Sequence, residues 1–334
     1  MAIPPPSGPV AIGKRTHDAI EGSDTDELLR IVDGHCSARD WEALLRLRTL
    51  LAEALTRGRQ LWGVDQHIRY RLALEGPPDL AARAVVEGPA RFALGPLTEV
   101  AANRHNFKEL APHLPAGPER SIIAHERVLA GDRIDPADID QTVLELPITL
   151  ATWEPSYPRP EYKPDRVEAH PPGAPRMDVF TLPERAHPID DPESTTALLG
   201  LVSAWVEESN GRAQAVATDG GVEDAIRALG PTRVRHGRIS PAQAMGWMAW
   251  AAGSGGALGR RRGGAAGRFA AWWTASALAG LEWPPDPDDL GRAAAELQWF
   301  VWSDLAAPTG WNLNLAVADP IEELSWAVTA VDAV

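Results

Sequence analysis

A chain of 334 residues, 44% hydrophobic and 23% charged, has room for two domains with cores of their own, which excludes a wholly disordered protein. A net charge of −14 excludes generic attraction to DNA or to an acidic membrane surface. The single cysteine, Cys36, excludes an internal disulfide and points to a reducing, cytoplasmic setting.

The first residues, Met1-Ala2-Ile3-Pro4-Pro5-Pro6, lack the apolar core of a signal peptide, and residues 1–20 read as a disordered tail. A helical domain is expected over 21–146. Ser23 with Asp26, and Ser37 with Asp40, have the spacing of N-caps for two successive helices. The second of these carries Trp41, Leu44, Leu47, Leu51 and Leu55 at steps of three and four, which makes one face apolar. Shorter helices are expected near 61–74, 78–86, 91–104 and 119–129, separated by Gly76-Pro77-Pro78, Gly88-Pro89, Pro112 to Pro118 and Gly131. Such an array is either HEAT- or armadillo-like or an irregular helical domain, since no clean period runs through it.

Proline density rises over 147–192, where Glu154-Pro155-Ser156-Tyr157-Pro158-Arg159-Pro160 and Pro171-Pro172-Gly173 favour extended backbone. This segment reads as a linker or a strap laid over the surface. An α+β domain is expected over 193–334. It opens with Asp191-Pro192-Glu193 as a cap with proline in the first turn, and continues with a strand at 213–218 and a helix at 221–229. Ser240-Pro241-Ala242-Gln243 is a capping box starting a helix to about Ala252, and a further helix is expected from Gly264 to Ala279. Trp311, Leu313, Leu315 and Val317 alternate with Asn312, Asn314 and Ala316, a strand that would pair with 297–302 across a turn containing Pro308-Thr309-Gly310. Residues 321–331 are ambiguous between helix and strand. The fold expected is thus mainly α: an N-terminal helical domain plus a C-terminal α+β domain with a small antiparallel sheet.

One window departs from the rest of the chain. Between Asp224 and Glu282 there are 57 residues without an acid, and they carry eight arginines, at 227, 233, 235, 238, 260, 261, 262 and 268. Only Lys14, Lys108 and Lys163 are lysines, so arginine itself is the general base of this chain; the missing acids are the signal. Within the window lies Gly253-Ser254-Gly255-Gly256-Ala257-Leu258-Gly259-Arg260-Arg261-Arg262-Gly263-Gly264, followed by a helix start and Arg268. Glycine backbone that can turn N–H groups inward, forked guanidinium donors and a helix N-terminus all favour a phosphate or other oxyanion. The anion-binding set expected is Ser254, Gly255, Gly256, Arg260, Arg261, Arg262 and Arg268. Alternatively the glycines let two helices pack closely while the arginines pair with Asp286, Asp288 and Asp289. The Gly253-x-Gly255-x-x-x-Gly259 spacing follows a helix, not a strand, and no Gly-Lys-Ser/Thr follows it, so neither a dinucleotide fold nor a P-loop is expected.

Ten of the thirteen tryptophans lie at or after Trp205, crowding the same half as the arginines. Most suit a core; adjacent Trp272 and Trp273 cannot both face it, so one or both could stack on a ligand. His105, His113 and His125 with Glu126 lack metal-ligand spacing, and Cys36 lacks a nucleophile's setting. No metal and no particular cofactor are expected. If the loop clamps a substrate, Glu207, Glu208, His236 and Asp304 are the only candidate bases.

Three strings are similar to an uncharacterised family of high-GC bacteria: Leu61-Trp62 through His67 to Tyr70-Arg71-Leu72-Ala73-Leu74-Glu75, Gly88 through Arg91-Phe92-Ala93-Leu94-Gly95-Pro96-Leu97-Thr98-Glu99-Val100, and Ser254 through Arg262 to Phe269. The resemblance implies no activity and assigns no residue. The expectation for function is a cytoplasmic protein that binds a phosphate-bearing ligand, nucleotide or nucleic acid, at 253–268. The alternative is a scaffold whose N-terminal helices meet a protein partner, without small-molecule chemistry and without a membrane.

Overall fold

The computed structural model describes residues 13–306 and 309–333, and the chain divides into two compact units. The first comprises residues up to Pro115 together with Lys163–Asp165; the second comprises Ala116–Tyr162 and Arg166–Val334. The boundary therefore falls near 115, not 146, because the helix at 118–129 packs with the C-terminal elements.

The first unit is helical: α1 (Lys14–Gly22), α2 (Thr25–Ala38), α3 (Trp41–Thr56), α4 (Trp62–Glu75), α5 (Pro78–Val86), α6 (Leu97–Arg104) and α7 (Phe107–Leu110). Residues 14–20, expected to be tail, form most of α1, which buries Thr16, Ala19 and Ile20; residues 1–12 lie outside the described residues. The cap of α2 sits one position after the expected Ser23, and that of α3 three positions after the expected Ser37. Asp24 accepts from Glu27 N and Asp40 from Ala43 N, each at 3.0 Å, while Ser23 ends α1 and Ser37 stays inside α2. A carboxylate outcompetes a neighbouring hydroxyl at a helix N-terminus because it also meets the dipole. The stripe on α3 buries Leu44, Leu47 and Leu51 as its spacing predicts. Helix lengths range from 16 residues to 4, so no fixed repeat length recurs and the unit is irregular.

The second unit opens with α8 (Pro118–Leu129) and runs through the proline-rich stretch, which is not wholly extended linker. It contains the hairpin β1 (Glu161–Tyr162) and β2 (Val167–Glu168), then β3 (Asp178–Thr181) and β4 (Pro188–Ile189). There follow α9 (Pro192–Gly200), α10 (Ser203–Glu207), β5 (Arg212–Asp219), α11 (Val222–Ala228), β6 (Arg233–Ile239), α12 (Pro241–Gly253), α13 (Gly264–Leu278), α14 (Pro287–Glu296), β7 (Gln298–Ser303), β8 (Trp311–Asp319) and β9 (Leu324–Asp332). Strands β3 to β9 make one antiparallel sheet in the order β3-β6-β7-β8-β9-β5-β4, larger than the small sheet expected. Its centre is the meander β7-β8-β9, and residues 324–332, ambiguous in sequence, are strand.

Period-two alternation sorts the sheet's side chains between two faces. Leu313, Leu315 and Val317 of β8 join Trp299, Val301, Trp326 and Val328 in the main core, covered by α9, α12, α13 and α14. Ala316 and Ala318 face the other way, with Trp302, Ala327 and α11's Val222 and Ile226. Helices α12 and α13 pack closely: a Cβ on Gly267 would collide with the Ala249 carbonyl oxygen. Ser240 and Gln243 form the expected capping box on α12.

Candidate ligand pocket beside the glycine–arginine loop

The loop joining α12 to α13 is held by carboxylates that lie outside the acid-free window. Ala257 N donates to Asp332 Oδ2 at 2.6 Å, and Arg260 N to Glu208 Oε2 at 3.3 Å. Leu258 N donates to Ser209 Oγ at 3.1 Å. The N-terminus of α13, expected to receive a ligand's anion, receives Glu126 of α8: Ala265 N donates to Glu126 Oε1 at 2.9 Å. Gly256 has φ 71°, and a Cβ there would collide with the Asp332 carboxylate, so this glycine serves an internal contact. Ser254 is fully buried, accepting from Trp205 Nε1 at 2.9 Å and donating to Ala251 O at 2.8 Å. Gly255 packs its backbone against Gly259 and Arg260.

The guanidinium groups divide in the same way. Arg268 and Glu154 are both 0% exposed by side chain; Nε and Nη2 of Arg268 donate to the two Glu154 oxygens at 2.8 Å each. Arg268 also donates to the carbonyls of Pro147 at 2.8 Å and Thr149 at 3.1 Å. Glu154 accepts further from Tyr157 Oη at 2.6 Å and Trp272 Nε1 at 2.9 Å. Burial alone would raise the Glu154 carboxyl, but the hydrogen bonds and charge of Arg268 outweigh it and hold the group below its ordinary value. The Tyr157 hydroxyl is pushed far up by burial and by Glu154. Arg262 pairs with Glu208 at 2.9 Å on the surface, and Arg260 is exposed. Ser254, Gly255, Gly256, Arg262 and Arg268 thus each meet the protein's own groups, and no ion pair joins them to Asp286, Asp288 or Asp289. Asp286 caps α14, and Asp289 pairs with Arg292. Trp272 is 1% exposed in the core, while Trp273 stays 44% exposed against Phe269 and Trp283.

Arg261, which is also engaged within the fold, lines a narrow cleft of only about 10 Å³ with Arg159, His170, Pro158, Gly253 and Gly264. Ala169 and Trp250 form one wall of that cleft and also line an adjoining cavity of about 450 Å³, completed by Pro171, Trp247, Gly310, Trp311 and Asn312. Trp250 and Trp311 stack with centroids 5.3 Å apart and an 11° interplanar angle. Trp247 stands nearly perpendicular to Trp250, at 5.8 Å and 83°. The cavity therefore has an aromatic corner in which Trp250, itself buried, is covered by Trp311 and met nearly at right angles by Trp247. Behind it, Trp205 packs edge-on to both Trp250 and Trp311, which fixes their planes. Trp250 Nε1 reaches Ala169 O at 3.3 Å, tying the proline-rich strap to α12.

A second cavity, of about 500 Å³, lies where β5, β7, β8 and α11 meet and is lined by Asp219, Glu223, Asp319 and Glu323. Four carboxylates repel a phosphate, and an apolar pocket with a few polar groups is the commoner ligand site. Of the four candidate bases, Glu208 holds the loop, and His236 is packed against Phe180 and Phe300 with Nε2 3.3 Å from Glu223. His125 is fully buried, neither ring nitrogen has a hydrogen-bond partner, and burial and Arg268 push its pKa down to about 4. Among the described residues no group of three or more His, Cys, Asp or Glu could hold a metal ion.

Of the residues lining the two adjoining hollows, Arg261 was among those singled out in the sequence and Arg159, His170, Pro171, Trp247, Trp250, Trp311 and Asn312 were not. Trp247 and Trp250 sit on a helix that is apolar all round, which conceals which residues border a cavity. Trp311 and Asn312 open a strand, and the strap residues carry no periodic signal. The residues that meet at the pocket come from four separate stretches of chain.

An α+β protein with an antiparallel sheet, a helical cover and a tryptophan-lined pocket is the class the geometry defines. The chain belongs to a family of unknown function, DUF6183, whose profile matches residues 26–333. No curated protein and no solved structure matches it.

Proposed function

We propose that this protein binds a small phosphate-bearing ligand of the nucleotide class, with its flat ring in the Trp247–Trp250–Trp311 corner and its phosphate toward Arg159 and Arg261. The observation that carries the reading is the shared wall: Ala169 and Trp250 border both the aromatic cavity and the arginine-lined cleft. A ring gains stacking energy on tryptophan, and guanidinium groups match phosphate oxygens. With a net charge of −14, a phosphate approaches only where the local field is reversed, so a nucleotide fits this chain better than a nucleic acid strand. We read the chain as cytoplasmic from its lone reduced Cys36, and as high-GC bacterial from its arginine-over-lysine bias. Among the described residues no helix is long and apolar enough to cross a membrane.

The test is a titration of the full chain with 5′-AMP, GMP, CMP and UMP, followed by tryptophan fluorescence. At least one should quench emission saturably. Trp311→Ala and Arg261→Glu should each weaken it about tenfold or more, as loss of a stacked ring or a phosphate contact does. Arg262→Met should leave it unchanged. Absence of saturable quenching by all four at millimolar concentration refutes the proposal.

A second reading has one observation of its own. In the first unit Trp62 is 52% and Phe92 66% exposed, and Phe92 N donates to Gln66 Oε1 at 2.8 Å, one helical turn from Trp62. Two exposed aromatics held near one glutamine suit a protein partner at the N-terminal helices.

A further inference from the structure

The seven-stranded sheet ends differently on its two sides. On one side β4 is two residues long and begins with Pro188, which has no N–H to offer an incoming strand. On the other side β3 runs Asp178-Val179-Phe180-Thr181 without proline, and all four residues are exposed, the apolar Val179 and Phe180 among them. Its pairing with β6 fixes which backbone groups are left over. Leu182 N donates to Thr232 O at 2.9 Å, in the same register as Phe180↔Val234 and Asp178↔His236. Hydrogen-bonded pairs alternate along an antiparallel ladder, so Asp178, Phe180 and Leu182 turn their N–H and C=O groups toward β6. Val179 and Thr181 turn theirs away from it, and no hydrogen bond to them is made among the described residues. An exposed edge of this kind is a template for one more strand.

The strand is complementary to itself. Two copies laid antiparallel with Phe180 on the two-fold axis set Val179 opposite Thr181 of the second copy, and Thr181 opposite its Val179. Both are positions whose backbone faces outward, so each pair exchanges both of its hydrogen bonds. Phe180 then meets its own copy at a non-hydrogen-bonded position, where side chains approach most closely. Carried past the strand ends, the same register sets Arg176 opposite Glu184 of the second copy, twice by symmetry. Arg176 is exposed and 3.9 Å from Asp178, and Glu184 is exposed with no ion pair among the described residues. An unrelated strand could take the same backbone bonds, but only this chain's own edge also places opposite charges at both ends. We propose that the protein forms a two-fold dimer by pairing β3 with β3 of a second copy, which covers the exposed edge of the sheet.

The test is sedimentation equilibrium of the full chain from about 1 to 300 μM, because a pairing this short buries less than a standard interface and associates in the micromolar range. A reversible monomer–dimer equilibrium is expected. Val179→Pro removes an N–H that β6 does not use and should weaken the dimer about tenfold or more. Arg176→Glu should weaken it about fivefold or more, because both symmetry-related contacts turn from attraction to repulsion. Arg176→Glu combined with Glu184→Arg restores opposite charges and should recover wild-type association, which a misfolded variant would not do. Melting curves of each variant check the fold. A chain that stays monomeric throughout, a dimer indifferent to Val179→Pro or Arg176→Glu, or a double exchange that fails to recover association overturns the proposal.

Discussion

Arg268→Met tests whether the arginine that sequence assigned to a ligand is instead an internal strut. The change leaves Glu154 wholly buried with Tyr157, Trp272 and the Ala151 N–H as neutral donors but no cation, and strips Pro147 O and Thr149 O of their partner. Removing one member of a buried ion pair costs about 3–5 kcal/mol, because the remaining charge stays desolvated. At roughly 2–4 °C per kcal/mol for a body of this size, the melting temperature should fall by on the order of 10 °C. The assay is urea and thermal unfolding of the full chain, followed by tryptophan fluorescence. Glu154→Gln in the same background neutralises the stranded carboxylate while keeping an acceptor for Tyr157 and Trp272, and should recover more than half of the loss. Arg262→Met, six residues earlier on the surface pair with Glu208, should cost less than about 1 kcal/mol. A cost below about 1 kcal/mol for Arg268→Met, or no recovery in the double variant, would refute the strut and return Arg268 to the pool of ligand-facing cations.

The pKa of His125, pushed down to about 4, gives a stability that depends on pH. The unfolded chain takes up this proton near pH 6.5 and the folded chain only near 4, so the contribution is complete above pH 6.5 and declines as pH falls, by about 3 kcal/mol at pH 4. Unfolding at pH 7 and at pH 4.5 should show this slope, and His125→Leu should reduce it; an unchanged slope in the variant would assign it to other groups. Burial pushes the Cys36 thiol up to about 11, so it should resist a thiol reagent at pH 8 in the native protein and react at once in urea. Fast native labelling would contradict that burial. Gly256→Ala places a methyl against the Asp332 carboxylate at a positive φ and should destabilise by about 1–3 kcal/mol, read by urea unfolding, whereas a neutral result would mean the loop does not depend on Asp332.

Local signals were readable wherever one stretch of chain decides the outcome. Ser240-Pro241-Ala242-Gln243 starts α12, Asp191-Pro192 starts α9, and alternation marks β8, because caps and period two are properties of consecutive residues. Strand β6 (Arg233–Ile239) went unseen because arginines, a histidine and a glycine interrupt its apolar alternation; it is strand because β3 and β7 pair with it on both sides. The strap's β3 and β4 are strands for the same tertiary reason, against proline-rich surroundings. The pocket was hidden more deeply. Nothing near Trp311 in sequence announces Trp250, and nothing near Arg261 announces Arg159.

The acid-free window shows why a local charge count misleads about a site. The carboxylates that meet this window come from residues far along the chain: Glu154 of the strap pairs with Arg268 and Glu208, after α10, with Arg262, while Glu126 of α8 and Asp332 at the end of β9 accept from the backbone N–H groups of Ala265 and Ala257. Long-range ion pairs and capping bonds of this kind fix a loop between two helices at several points. What separates Arg261 from Arg262 and Arg268 is therefore not charge, which all three share, but concavity: it borders a cleft that shares Ala169 and Trp250 with the tryptophan-lined cavity. Concavity, which a charge count cannot register, is the property that the titration of Arg261→Glu against Arg262→Met puts to the test.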